Sequence, residues 1–262
     1  MYKVNTITKQ IGPTCGIYAF LNGLRSFYHL EKLSSRKIHK IVHALLQNNK
    51  LIHKSEYDKK SCCIYSKIID TNNSGRGGGK TFIGEFFDID NYIMFLTNNK
   101  EFIIEEIEKV CGEKIDFEVK KISIDCIEEY RDSLFISSIS PNDQKPKKKR
   151  CNSTENTNVL HWISYISNDN VTSGEKLTFR VMDSRKNKVY LMKKCEIVSQ
   201  HRQLEGSTFE WNHYFREKRI NIKPIDRFVK NRLKYKDEFL ADKIINDIEY
   251  PVGEIVMIEK NI

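Results

Sequence analysis

Apolar positions in the first part of the chain recur at helical spacing. Ile17, Phe20, Leu21, Leu24 and Phe27 or Tyr28 fall on one face and predict a buried helix that begins at or near Cys15. Ile38, Ile41, Val42, Leu45 and Leu46 predict a second helix, with Ser34 or Ser35 as its N-cap and Asn48-Asn49 closing it. Tyr92, Ile93, Phe95 and Leu96 mark a third, capped by Asp88 or Asp90, and more helix runs on to Gly112. Between these, Ser61 to Asp70 gives no clear period, and Asn72 to Lys80 reads as a loop because glycine dominates it.

Beyond Gly112 the period changes from helical to alternating. Ile115-Phe117-Val119, Leu134 to Ile136, Val159 to Ile166, Leu177 to Asp183 and Val189 to Leu191 are short runs that predict strands of an antiparallel sheet. Pro141 to Asn158 is polar, basic and rich in Asn and Ser, and so is expected to be a long exposed loop. Ile225 to Ile248 returns to helical periodicity with heavy charge, and Gly253 to Glu259 is expected to be a closing strand. No internal repeat is visible. The expected class is therefore α+β, a single domain over 1–262. A helical lobe would span 1–112, and a sheet lobe with a C-terminal helical extension would span 113–262.

Composition narrows this picture. With 39% hydrophobic and 11% aromatic residues the chain can bury a core, which excludes disorder for most of its length. Met1 to Gln10 lacks the apolar run of a signal peptide, and no stretch approaches the about 18 apolar residues of a membrane span, so a cytoplasmic protein with no membrane partner is expected. The seven cysteines are odd in number, with Cys62 and Cys63 adjacent and the others scattered, which suits a reducing compartment better than a disulfide scaffold. They show no paired Cys-x-x-Cys spacing, so neither a metal site nor a cofactor is expected.

The net charge of +9 raises nucleic-acid binding, which needs clustered Lys and Arg. The one dense cluster is Lys145-Pro-Lys-Lys-Lys-Arg150, in the polar loop before His161; the remaining positive charge reads as a diffuse lysine background. That cluster resembles a nuclear localisation signal, yet its place in the loop equally suits steering an acidic substrate, or a solvated loop with no partner. Ser74-Gly-Arg-Gly-Gly-Gly-Lys-Thr81 comes near a phosphate-binding loop, but the first glycine is replaced by Ser74 and the expected strand-to-helix context is missing.

Chemistry concentrates elsewhere, in Gln10-Ile-Gly-Pro-Thr-Cys-Gly16. This run sets a thiol at the opening of an apolar helix, where the dipole and free N–H groups favour the thiolate, the nucleophilic form. Attack on a carbonyl also needs donors for the oxyanion, and the Cys15 N–H with the Gln10 amide could supply two. Of the seven histidines, His161 stands in a strand bearing Trp162 and Tyr165 behind the long loop, whereas His29, His39, His43 and His53 lie on or after polar helix faces. The next predicted strand ends at Asp183, and antiparallel pairing brings the end of one strand beside the start of its neighbour, so Asp183 could orient the His161 ring. Taken singly, each has a structural reading: Cys15 as core, His161 as a satisfied strand residue, Asp183 as a turn residue that Asp169 or Asn187 could replace in another register.

The order Gln, Cys, His, Asp resembles that of papain-fold cysteine peptidases, including the bacteriocin-leader peptidases. Gln10 to Gly16 is similar without a gap to the Gln-x-Gly-Pro-Thr-Cys-Gly nucleophile motif of actin maturation proteases, whereas papain and most leader peptidases have one more residue between the glutamine and the cysteine. Gly84-Glu-Phe-Phe87 and His161-Trp162 are similar to two further elements of that family. The resemblance spans roughly the first 185 residues in short motifs. It implies a papain-like two-lobed fold, a peptide or protein substrate, Cys15 as nucleophile, His161 as base, Asp183 as orienter and Gln10 as oxyanion donor, with removal of N-terminal residues as the narrower activity. An acyl transferase of transglutaminase type is the nearest enzymatic alternative, because an amine can also resolve the thioester. A different class is a non-catalytic basic module that binds nucleic acid or protein. The stretch after Ser199 leaves room for a regulatory protein partner.

Overall fold

The computed structural model describes residues 7–11, 14–48, 86, 89–140, 160–168, 177–186, 188–206 and 252–261. The loops expected at 72–80 and 141–158, the ambiguous stretch 61–70 and the helix expected at 225–248 lie outside the described residues.

Helix α1, Cys15–Phe27, is buried along all 13 of its residues. Such a helix has no polar face to give to water and must be enclosed by other elements. Its neighbours are α2 (Ser35–Asn48) and two central strands, β2 (Leu134–Ile139) and β3 (His161–Ser167). Closest approach to the sheet comes at Gly23, where an added Cβ would stand 2.8 Å and 3.0 Å from the Leu134 methyl carbons and 3.1 Å from the Ser164 Cβ. Leu134 can swing aside, but the Ser164 Cβ is fixed by the strand. Gly23→Val is therefore expected to cost about 1–3 kcal/mol by overpacking, read as a lower urea midpoint with an unchanged slope.

Helices α3 (Ile89–Asn98) and α4 (Lys100–Cys111) follow one another around Asn99, and α4 stops at Gly112, whose φ of 70° suits glycine at a helix end. Asp90 lies inside the first turn of α3 and pairs with Lys121 at 2.9 Å; Asp88 is outside the described residues.

Among the described residues, six strands form one antiparallel sheet in the order β1-β6-β2-β3-β4-β5, with β1 at Phe117–Ser123, β4 at Thr178–Asp183, β5 at Lys188–Lys193 and β6 at Glu254–Lys260. The strand expected to close the chain does not close the sheet: β6 runs between β1 and β2. Four consecutive apolar residues, Ile255 to Ile258, explain this, because a strand buried on both faces needs no polar alternation. Alternation sorts the remaining side chains. Leu134, Ile136, Trp162, Met182, Val256 and Ile258 join the core under the helices. Phe135, Ile163, Tyr165, Phe179, Val181 and Met257 form a second core on the opposite face with Ile197 of α5 (Lys194–Arg202), a helix the periodicity does not announce. The described chain is thus α+β, with most helices on one face of the sheet. No helix among the described residues is long and apolar enough to cross a membrane.

One histidine outside the helical core is a structural clasp. His201 of α5 is fully buried; its Nδ1–H donates to the Ser138 carbonyl at 2.7 Å and its Nε2 accepts from the Gly253 N–H at 2.8 Å. Both bonds require the neutral ring, and burial, with Arg202 nearby, pulls its pKa below the ordinary value against the opposing pull of the Ser138 bond and of Asp125. A base whose folded pKa is depressed contributes stability above its unfolded pKa of about 6.5 that is lost as pH falls. Urea midpoints taken between pH 7 and pH 5 should therefore drop more steeply for the native protein than for its His201→Gln variant.

Candidate active site

Cys15 is the first residue of α1 and is 2% exposed. The residue before it, Thr14, makes no side-chain cap; its hydroxyl donates instead to the Ile11 carbonyl at 2.7 Å. With the Thr14 hydroxyl turned to that carbonyl, the positive end of the helix is left to the neighbourhood of the thiol.

His161 opens β3, and Asp183 closes β4. The register pairs Ser164 with Met182, which sets Asp183 level with Ile163 and so diagonally across from His161 on the same face of the sheet. The imidazole Nε2–H donates to Asp183 Oδ1 at 2.8 Å, and the Cys15 side chain lies near enough to the ring to influence its protonation. With Nε2 committed to the carboxylate, Nδ1 is the nitrogen left for the thiol. Burial alone would hold the His161 pKa down, but the bond to Asp183 and the neighbouring Cys15 outweigh it and raise the pKa above the ordinary imidazole value. Burial pushes the Asp183 carboxyl up, and the bond from His161 together with the Arg185 backbone N–H brings it below the ordinary carboxylate range.

Asp183 is fully buried and fully employed. Besides His161, its Oδ1 accepts from the Arg185 N–H at 2.9 Å and the Lys186 N–H at 3.3 Å, and its Oδ2 accepts from the Tyr190 hydroxyl at 3.2 Å. The turn role and the histidine-orienting position fall on one side chain. Asp169 and Asn187 lie outside the described residues.

Gln10 is half-buried on the same side. Its backbone N–H donates to the Ser184 carbonyl at 3.2 Å, and its side-chain Oε1 accepts from the Ser184 hydroxyl at 2.8 Å. With the carbonyl end of the amide held there, the NH₂ end is the one turned away from Ser184. Ser184 follows Asp183 directly, so one turn holds both the histidine's partner and the glutamine.

A buried aromatic wedge ties the nucleophile side to the histidine side. Phe86 lies against Gly16, where a Cβ would meet its ring at 2.6 Å, and it stacks on Tyr92 with centroids 4.4 Å apart. The Tyr92 hydroxyl donates to the Gly16 carbonyl at 2.7 Å, and the Trp162 indole N–H donates to the Phe86 carbonyl at 2.9 Å. Trp162 meets Tyr92 edge-on at 4.8 Å. Glycine at position 16 thus answers a packing need, and Trp162, fully buried, belongs to the core beneath the site. Of Gly84-Glu-Phe-Phe87, Phe86 alone is among the described residues. Tyr92 was legible in the sequence only as an apolar position of α3.

A thiol beside an imidazole whose Nε2 is fixed by a carboxylate has the parts of a nucleophile, its base and its orienter. No protein family matches the chain, and no curated protein and no solved structure matches it significantly.

Proposed function

We propose that the protein is a cysteine peptidase with a papain-like two-lobed fold, acting in the cytoplasm on a peptide or protein. The observation that carries this reading is His161 bonded to Asp183 with Cys15, the first residue of α1, beside its ring. In the proposed reaction the Cys15 thiolate attacks the scissile carbonyl and forms the sulfur–carbon bond. The Cys15 N–H and the Gln10 amide hold the oxyanion. The imidazolium of His161 then gives its proton to the leaving amine as the carbon–nitrogen bond breaks, and water drawn on by the neutral imidazole cleaves the thioester to free acid and thiol. Asp183 keeps the ring oriented and supports its charged form. The Gln-x-Gly-Pro-Thr-Cys-Gly motif favours N-terminal processing as the narrower activity.

Incubation of the protein with a diverse synthetic peptide library, read by mass spectrometry for new termini, tests this reading. Cleavage to free amine and acid that disappears in Cys15→Ala is expected. New amide products would turn the reading to an acyl transferase, and cleavage surviving in Cys15→Ala would refute the assignment of the nucleophile.

A further inference from the structure

We propose that Asn22 is a positioning residue that fixes Gln10 relative to the Cys15 N–H; the proposal rests on the cysteine-peptidase reading. Asparagine is a poor choice for the interior of a helix, since its amide competes with the backbone for hydrogen bonds. Here it sits about two turns beyond Cys15 and is 1% exposed among Leu21, Leu24 and their apolar neighbours. A buried amide without partners would destabilise the fold. Both of its ends are satisfied by one residue: the Thr8 N–H donates to Asn22 Oδ1 at 2.9 Å, and Asn22 Nδ2 donates to the Thr8 carbonyl at 3.0 Å.

That reciprocal pair imitates a strand partner for a segment in neither helix nor strand. Residues 7–11 carry Gln10, and their hold on the rest of the molecule is divided. Thr8 is fastened to α1 through Asn22 and, by its hydroxyl, to Ser35 Oγ at 3.0 Å, while Gln10 is fastened to Ser184 beyond β4. The helix that grips Thr8 is the one whose first residue supplies the other oxyanion donor. Two donors stabilise a developing oxyanion only when their spacing is set before the reaction, to within a fraction of an ångström. Asn22 provides that link through a side chain of the nucleophile's own helix, and its place in an otherwise apolar stretch of α1 follows from this role.

The test compares two reactions at Cys15 that differ in whether an oxyanion forms. With p-nitrophenyl acetate the sulfur bonds to the acyl carbon, the ester carbon–oxygen bond breaks through an oxyanion, and p-nitrophenolate leaves. With iodoacetamide the sulfur displaces iodide and no oxyanion forms. Both products are located at Cys15 by mass spectrometry. Asn22→Ala is expected to slow acylation about tenfold while leaving alkylation unchanged. In a Gln10→Ala background the same change should slow acylation no further. Asn22→Ser, whose shorter side chain offers one polar atom in place of the two that hold Thr8, carries the comparison should Asn22→Ala not fold. An equal loss in both reactions, or an Asn22 effect that persists in full without Gln10, overturns the proposal alone. Alkylation of Cys15 no faster than that of the exposed Cys195 in the unchanged protein overturns the peptidase reading and this proposal with it.

Discussion

Replacing His161 with alanine should lower kcat by roughly 10²–10⁴-fold, with KM little changed. The imidazole has three duties in the proposed cycle, and none of them is substrate binding. It holds a proton beside the thiolate before attack, supplies that proton to the leaving amine, and draws on the water that cleaves the thioester. His161 is 3% exposed, so solvent is poorly placed to take them over. Cys15→Ala, in contrast, removes the atom that forms the thioester and should leave no turnover. Activity of His161→Ala within a few-fold of the native protein would show that another group serves as base.

Asp183→Asn should lower kcat/KM on the order of 10²-fold or more and move the alkaline limb of its pH profile downward. The amide is nearly isosteric, yet it brings no charge to the imidazolium and can present its NH₂ to Nε2. Without the carboxylate, burial prevails and the His161 pKa falls, so the proton is lost at lower pH. The same pair contributes to stability with signs that can be separated. Asp183 has a depressed folded pKa, so its contribution is present above the unfolded value of about 3.9 and is lost as pH falls. His161 has a raised folded pKa, so its contribution is complete below about 6.5 and is lost as pH rises through the folded value. The stability difference between native protein and Asp183→Asn should therefore be widest between about pH 4 and pH 6.5 and shrink on both sides. A profile whose alkaline limb stays in place would mean that the carboxylate does not act on the histidine.

These two residues also show which part of the site the chain discloses on its own. Cys15 and Gln10 are legible together because the motif around them is local: a turn, a thiol and the first apolar positions of α1 are consecutive. His161 and Asp183 are legible only as the ends of two predicted strands. Which carboxylate meets the ring depends on strand register, set by the pairing of Ser164 with Met182 and by apolar side chains distributed to two cores. Ser184, Tyr92 and Asn22 leave no local trace of their roles, since each acts on a residue brought near by the fold. Element type was easier to foresee than element position. Ile255 to Ile258 reads as a strand from composition, but its place between β1 and β2 follows from pairings across most of the chain. Helix α5 escaped periodicity because only Ile197 and His201 of its residues are buried, too few to write an apolar face.

Competitive alkylation tests the central claim most directly, because it requires no knowledge of the substrate. The folded protein is treated at neutral pH with a limiting amount of iodoacetamide, and each cysteine is quantified by mass spectrometry. The neighbouring His161 and the helix N-terminus predict that Cys15, though buried, is modified faster than the exposed Cys195, and that this advantage is lost in His161→Ala. Modification of Cys15 no faster than Cys195, or a rate indifferent to His161, would contradict an activated nucleophile at the head of α1.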